Sequence, residues 1–387
     1  MALPLKYNVR NLFVRWRATL TTVLGVALVV AVYVLVQSLA VGLEKSSANT
    51  GDPRNTMIVR KGSTAESSSQ VTRDQFKLIT YLPEIARNES GQPLISADVI
   101  VLINLPRRAG GGEANVLLRG ISPLGMHLRP QVALVEGRWF APGKREIVVS
   151  RRLARRFAKF DLGGQIRTGS KELTVVGFTD GRNSAFDSEI WMDADEARTV
   201  FDRENYSSVL VRTLSVEASA SLGRRIENDK RLPLRALAEV KYYSAQTMTA
   251  LPFKILGNLL ATAMSIGAVF AAMNTMYASV GSRTREIGTL RVLGYRRRSI
   301  LASFLLEGIL LGVIGGALGC ALAFPMHGYS TGTMSFESFS ETIFQFRITP
   351  ALVVKGLIFS LLVGVVGSFL PALRASRLPV ITALKAL

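Results

Sequence analysis

Cysteine and histidine are almost missing from the 387 residues: there is one cysteine, Cys320, and there are two histidines, His127 and His327. A single cysteine excludes an intramolecular disulfide, and with two distant histidines it excludes the usual zinc ligand sets. No GxxxxGK[ST] loop is present. Pro142-Gly143-Lys144-Arg145 has the lysine of a phosphate loop without the preceding glycine spacing or the following hydroxyl. The chain is therefore expected not to be an enzyme by itself and to bind no metal or other cofactor. Acid is also scarce, 28 Asp and Glu against 47 Lys and Arg, for a net charge of +19. Where that excess sits decides what it means.

What is plentiful is apolar sequence, 48% of residues with a mean hydropathy of +0.28. Four uninterrupted runs carry it. The first lies between Arg17 and Glu44, the second follows Lys254 to Gly281, the third is Ile300 to Phe324 and the fourth Ala351 to Leu370. Each reaches the roughly 20 residues a helix needs to cross a bilayer. The first is too long for a signal peptide and lacks a small-residue cleavage pattern, so it is expected to be a retained anchor. The expected fold is an α-helical membrane protein with four transmembrane helices and a large α+β extracytoplasmic domain between helices 1 and 2.

Charge supplies the orientation. Lys6, Arg10, Arg15 and Arg17 precede the first run; Arg283, Arg285, Arg291, Arg296, Arg297 and Arg298 separate the second from the third; Arg374, Arg377 and Lys385 follow the fourth. The loop between the third and fourth carries Glu337, Glu341 and only Arg347. The positive-inside rule then puts both termini and the arginine loop in the cytoplasm and the stretch 44–254 outside. Basic residues flanking spans hold them against anionic lipid, which accounts for most of the excess and gives no reason to expect a nucleic-acid partner.

The expected organisation is an interfacial helix over 1–17, spans at 18–43, 255–281, 299–324 and 351–370, an outer domain at 44–254, a cytoplasmic coupling helix within 282–298, a short outer loop at 325–350 and a cytoplasmic tail at 371–387. In the interfacial segment Leu5, Val9, Leu12, Phe13, Trp16 and Leu20 recur at helical spacing. The outer domain reads as strands at Thr56–Arg60, Asp98–Leu105, Asn115–Arg119, Glu146–Ser150 and Leu173–Phe178, with Glu189–Met192 and Ser208–Arg212 as the last ones. Helices are expected at Asp74–Tyr81, Arg151–Phe160, Ala194–Asp202 and Glu217–Asn228, with a hairpin tip at Arg107–Glu113.

The third run repeats Gly308, Gly312 and Gly316 and the fourth Gly356, Ser360 and Gly364, a spacing that lets helix backbones approach closely. Asn258 and Asn274 are polar within the second run and can bond across helices. Glu307 is an acid inside an apolar run, about two turns from Arg298 and close enough to the inner face to pair or snorkel. Cys320 is expected to be a packing residue, and Lys355 to snorkel to the outer surface.

Between the second and third runs Ile287, Leu290 and Leu293 recur three apart, so Ser282 to Leu293 is expected to form a short helix with an apolar stripe, stopped by Gly294. The words Arg285-Glu286-Ile287-Gly288 and Leu290-Arg291-Val292-Leu293-Gly294, followed by the basic cluster and Ile300 to Gly316, resemble the coupling segment and third span of FtsX-type ABC permeases. In the outer domain Glu136-Gly137-Arg138-Trp139-Phe140, Glu146-Ile147-Val148-Val149-Ser150, Leu162-Gly163-Gly164-Gln165-Ile166 and Leu173-Thr174-Val175-Val176-Gly177-Phe178 resemble, in that order, the periplasmic core domain of MacB-like permeases. Pro371 to Arg377 and Pro379 to Leu384 look like the family's closing sequence, in which a proline ends the last span.

The resemblance implies an FtsX-like permease domain over 255–375 and a mechanotransmission mechanism in the bacterial inner membrane. Thr284, Arg285, Glu286, Ile287, Gly288, Leu290, Arg291, Leu293 and Gly294 would receive the ATPase. It implies two copies of a separate ABC ATPase, which carry ATP and Mg, a second copy of this permease, membrane lipid and a periplasmic adaptor as partners, with export or efflux as the outcome. MacB carries its ATPase fused ahead of the first span, so this chain resembles a stand-alone permease subunit. Lipoprotein or lipid release, or FtsX-like regulation of a cell-wall hydrolase, is the alternative outcome for the same machine.

Overall fold

A computed structural model of the chain describes residues 14, 16–108, 110, 112–168, 171–245, 250–335 and 338–379. The expected interfacial segment before Val14, the tail beyond Pro379 and Glu337 lie outside the described residues. The chain divides into a helical unit (1–41, 252–329 and 346–387) and an α+β unit (42–251 and 330–345). In chain order the elements are α1 (Trp16–Ala48), β1 (Asn55–Arg60), α2 (Arg73–Thr80), β2 (Ile95–Pro106), β3 (Glu113–Ile121), α3 (Pro123–His127), β4 (Ala133–Gly137), β5 (Glu146–Ser150) and α4 (Arg151–Arg156). Then come β6 (Gln165–Thr168), β7 (Lys171–Asp180), β8 (Glu189–Asp193), α5 (Ala194–Val200), β9 (Ser208–Arg212), α6 (Val216–Asn228), β10 (Leu234–Ala238) and α7 (Glu239–Ala245). The rest is α8 (Ala250–Ser282), α9 (Thr284–Val292), α10 (Arg297–Ala323), β11 (Ser330–Met334), β12 (Glu341–Gln345) and α11 (Pro350–Arg377).

Among the described residues four helices are long and apolar enough to span a membrane: Thr19–Ala48, Lys254–Ser282, Arg297–Met326 and Pro350–Arg377. Within the helical unit they pack through small residues. A Cβ on Gly308 would strike Ser368, and one on Gly312 would lie 2.7 Å from the Ser360 carbonyl oxygen, so α10 and α11 touch backbone to backbone. Gly316 faces Ser360, Gly364 faces Gly308, and Gly356 faces Val34 of α1 and Cys320 of α10. Leucine and phenylalanine point the other way: Leu28, Ile255, Leu259 and Phe270 are exposed, the arrangement expected of helices whose solvent is lipid. The expectation that Pro371 ends the last span is corrected, because α11 runs through it to Arg377. Pro371 is buried within that helix, and membrane-type helices tolerate an interior proline where surrounding groups satisfy the freed carbonyl.

The α+β unit is built on a ten-stranded sheet in the order β10-β1-β9-β2-β3-β8-β5-β7-β4, with β6 paired to β7. Neighbours are antiparallel except for β3 with β8 and β5 with β7. β2 is buried along most of its length, as a strand covered on both faces must be, and its hairpin with β3 turns at Gly110 and Gly112, both at positive φ. Side-chain caps start the helices where the sequence supplies them: Thr72 and Gln75 form a capping box on α2, and Asp193 and Ser215 cap α5 and α6.

Two expectations are corrected here. β9 is not the last strand of this sheet, since β10 follows and pairs with β1 at the edge; Leu234–Ala238 is a short basic-apolar segment with little strand signature of its own. The basic helix expected over Arg151–Phe160 stops at Arg156, because Phe157 turns extended and both it and Phe160 enter the core. The connection between α10 and α11 contains a two-stranded hairpin, β11 with β12, that belongs to the α+β unit.

Candidate functional site

The arginine loop is a short helix set between two long ones. α8 ends at Ser282, Arg283 leaves helical geometry (φ −111°, ψ 13°), α9 runs over Thr284–Val292, and Gly294 at φ +90° makes the turn that only glycine adopts freely. Arg296 is extended and α10 begins at the next residue. Three residues advance a helix by about 300°, so a three-residue repeat drifts around its surface. Ile287 is accordingly buried against Val280, Ile300 and Phe304, Leu290 is half-buried, and Leu293 is 67% exposed beside Val292 at 62%.

Arg283 anchors this helix. It is 6% exposed, and its guanidinium donates to Glu307 of α10 at 3.1 Å and to Glu286 at 3.4 Å while lying over the Phe304 ring at 5.1 Å. Glu307 thus pairs with Arg283, one connection away, rather than with Arg298, and the buried charge is neutralised locally. Of the residues named from the sequence, Ile287 and Gly288 are buried, Thr284, Leu290 and Arg291 are half-buried, and Arg285, Glu286, Leu293 and Gly294 are exposed. Arg283 and Val292 belong with them. The signal for Arg283 was available in the acid at Glu307, which needs a cation near the same depth.

In the rest of the helical unit, Asn258 accepts from Gln37 of α1 at 2.6 Å and Thr22 donates to Thr275 at 2.7 Å, so polar side chains join α1 to α8. Asn274 and Lys355 are exposed.

The α+β unit holds a second buried charged cluster, which sequence reasoning missed. Arg119 on β3 donates to Glu66 at 2.8 and 2.9 Å, to Glu189 at 2.8 Å through two nitrogens, and to Asp98 at 3.1 Å. Arg129 pairs with Asp98, and both guanidiniums lie against the Phe186 ring. Burial pushes the Glu66 carboxyl up, and the charge and hydrogen bonds of Arg119 outweigh it, leaving Glu66 below its ordinary value. Glu239, at the start of α7, has no such direct partner. Among the described residues it accepts from Asp52 N and Asn55 Nδ2, and burial raises its carboxyl to about 7 against the more distant charge of Arg129. Among the described residues no group of three or more His, Cys, Asp or Glu side chains is placed to hold a metal ion.

Four span-length helices, a short anchored helix between the second and third, and an α+β domain set between the first and second describe a multi-pass membrane permease. A profile of the MacB-like periplasmic core domain matches residues 18–229, and one of the FtsX-like permease C-terminal matches 258–380. The chain belongs to the MacB/FtsX-like family of ABC transporter permeases, and its large inserted domain is extracytoplasmic. Among its relatives, the macrolide export ATP-binding/permease protein MacB of Hahella chejuensis is 30% identical over 235 residues, which cover 58% of this chain and 35% of that protein. The uncharacterized ABC transporter permease YknZ of Bacillus subtilis is 26% identical over 261 residues, 64% of this chain and 63% of that one. The chain thus spans about a third of the MacB relative and under two thirds of YknZ. The crystal structure of the extracellular domain of YknZ from Gram-positive bacteria aligns at 18% identity and a TM-score of 0.36, over 47% of this chain and 99% of that one.

Proposed function

We propose that the chain is the permease subunit of a mechanotransmitting ABC exporter, in which a separate ATPase docks on α9 and its cycle moves the extracytoplasmic domain. The observation that carries this reading is the construction of α9. Ile287, Gly288 and the Arg283–Glu307 pair fix one side of it to the long helices, while Arg285, Glu286, Val292 and Leu293 are exposed. An apolar pair rimmed by both signs of charge is a protein-docking surface, and a helix anchored in this way passes a push to α10 without bending.

On this reading α9 and both termini are cytoplasmic, as the basic residues around them favour. Two permease copies pair in the lipid, each receiving one ATPase that supplies the ATP and Mg chemistry. The glycine-packed α10 and α11 leave no wide path between them, which fits a machine that moves a domain rather than one that threads cargo through the bilayer. The MacB relatives, named for macrolide export, support export as the outcome, and a periplasmic adaptor is the partner this reading adds.

The test is hydrolysis by the ATPase that co-purifies with the tagged chain, measured in lipid with the native chain and with Gly288→Trp. Stimulation by the native chain that the variant loses, while the variant still inserts and elutes as a single species, supports docking at α9. Equal stimulation by both places the energy input elsewhere.

A further inference from the structure

Two arginines of the α+β unit converge on one carboxylate of the β11–β12 hairpin. Glu341 is buried, with its side chain 2% exposed. Its Oε2 accepts from Arg107 Nε and Nη2 at 3.1 and 2.7 Å, and its Oε1 from Arg156 Nε and Nη2 at 2.9 and 2.5 Å. Each guanidinium therefore holds one oxygen of the same carboxylate through two nitrogens, in charge-assisted bonds stronger than neutral ones. The arginines come from segments that are themselves bonded, since Arg108 N donates to the Arg156 carbonyl at 2.8 Å and Ala158 N to Pro106 at 3.1 Å. Gly332, on the facing strand, leaves the room: a Cβ there would meet the Glu341 carboxylate and lie 3.0 Å from Arg156 Nη2.

The grip is one of three holding the hairpin. Ile343 is fully buried in the main core of the unit, its N–H donates to Ser188 Oγ at 2.7 Å, and Asn115 Nδ2 donates to the Phe339 carbonyl at 3.2 Å. A connecting loop whose only task is to join two helices needs none of this. In the sequence the hairpin begins a few residues after α10 and ends a few before α11, so it gives those two helices their own entry into the α+β unit, separate from the entries of α1 and α8.

We infer that Glu341 is a positioning residue, and that with Arg107 and Arg156 it forms a latch that transmits movement of the α10–α11 pair to the extracytoplasmic domain. The inference rests on the coupling reading above, in which α9 delivers the push. α10 takes that push through Glu307, in the half of the helix nearer α9, and its other end leads into the latched hairpin. A double two-nitrogen grip resists both withdrawal and rotation, whereas apolar packing at Ile343 alone resists chiefly withdrawal. Spans three and four thereby act on the domain directly and not only by way of spans one and two.

The experiment is hydrogen exchange of the full-length chain in lipid with its co-purified ATPase, with and without ATP, on the native chain, Glu341→Gln and Gly332→Ala. Gln keeps the shape and removes the charge; Ala at 332 keeps every charge and displaces the carboxylate. In the native chain ATP should change exchange both in α9 and in residues 112–121 and 151–158. In both variants the α9 response should persist while that of the two outer segments falls at least about fivefold, the lower end of ordinary coupling. A role in stability alone would instead raise exchange there with and without ATP and leave the ATP response in place. An undiminished outer response in properly inserted variants would overturn the latch, as would a native response confined to α9. No response even at α9 in the native chain would count against the coupling reading itself.

Discussion

In the α+β unit the residues that fill the interior are Val, Ile, Leu and Phe, with Ile147, Val149, Leu173, Val175 and Phe157 buried, and buried charges sit at several places, around Arg119 and at Glu341 with Arg107 and Arg156 among them. In the helical unit Gly and Ser lie at the α10–α11 contact, Leu28, Ile255, Leu259 and Phe270 are exposed, and the buried charge among the described residues is the pair Arg283 with Glu307. The solvent explains the difference. In water, apolar area is driven inward at about 25 cal/mol per Å²; among lipid tails that drive vanishes and close backbone approach becomes the attraction. A buried charge is dear in both, so both units answer it with arginine.

The contrast is sharpest at Arg119. Replacing it by Met leaves Glu66, Asp98 and Glu189 facing one another with only Arg129 near, and should cost about 3 to 5 kcal/mol; thermal unfolding in detergent, followed by tryptophan fluorescence at Trp191, would show it as loss of the domain transition. If the variant melted like the native chain, the cluster would not be what holds the centre of the sheet.

Glu239 tests the same region through pH. Its carboxyl holds a proton up to about 7 in the folded chain against an ordinary value of 4.5. Between those values the unfolded chain has lost a proton the folded chain keeps, so stability should fall as pH rises through this window and level off above it. The loss is on the order of 3 kcal/mol as an upper bound, at about 1.4 kcal/mol per pH unit. Glu239→Gln should flatten the profile, and melts at pH 5, 6, 7 and 8 would measure the slope.

In the helical unit the counterpart is Gly312→Leu, which drives a side chain into Ser360 and should cost about 1 to 3 kcal/mol. Gly25→Leu is its control, because no atom lies within 4 Å of a Cβ there. Equal melts for the two would remove the packing argument for α10 and α11. The smallest effect belongs to Gln37→Ala, which deletes the bond to Asn258 and should lower stability by about 0.6 kcal/mol, the usual worth of such a bond in membrane helices.

Much of this was legible in the chain. Apolar runs set the four long helices because length and hydropathy are local properties, and alternation marked β5, β7 and β9 within a residue or two at each end. Gly294 stopped α9 as its position suggested. Legibility failed where an element depends on a partner far away in sequence. β10 is a strand because β1 offers it an edge; Arg151–Phe160 stops early because the core takes Phe157. Pro371 did not end α11, which runs through it to Arg377. Asp98 and Arg119 each read as an ordinary polar residue in a strand until β2 and β3 are laid side by side.

The sequence by itself determined the membrane class, the α+β insertion and the helix between spans two and three, because hydropathy, charge bias and short motifs are written within a few turns of chain. Only the tertiary structure decided which charges are buried together: Arg283 with Glu307, Arg119 with three acids, and Glu341 with Arg107 and Arg156, from residues 21 to 234 positions apart. A charge pair forms wherever the fold removes both partners from water at once, and that coincidence is set by packing, which no local pattern encodes.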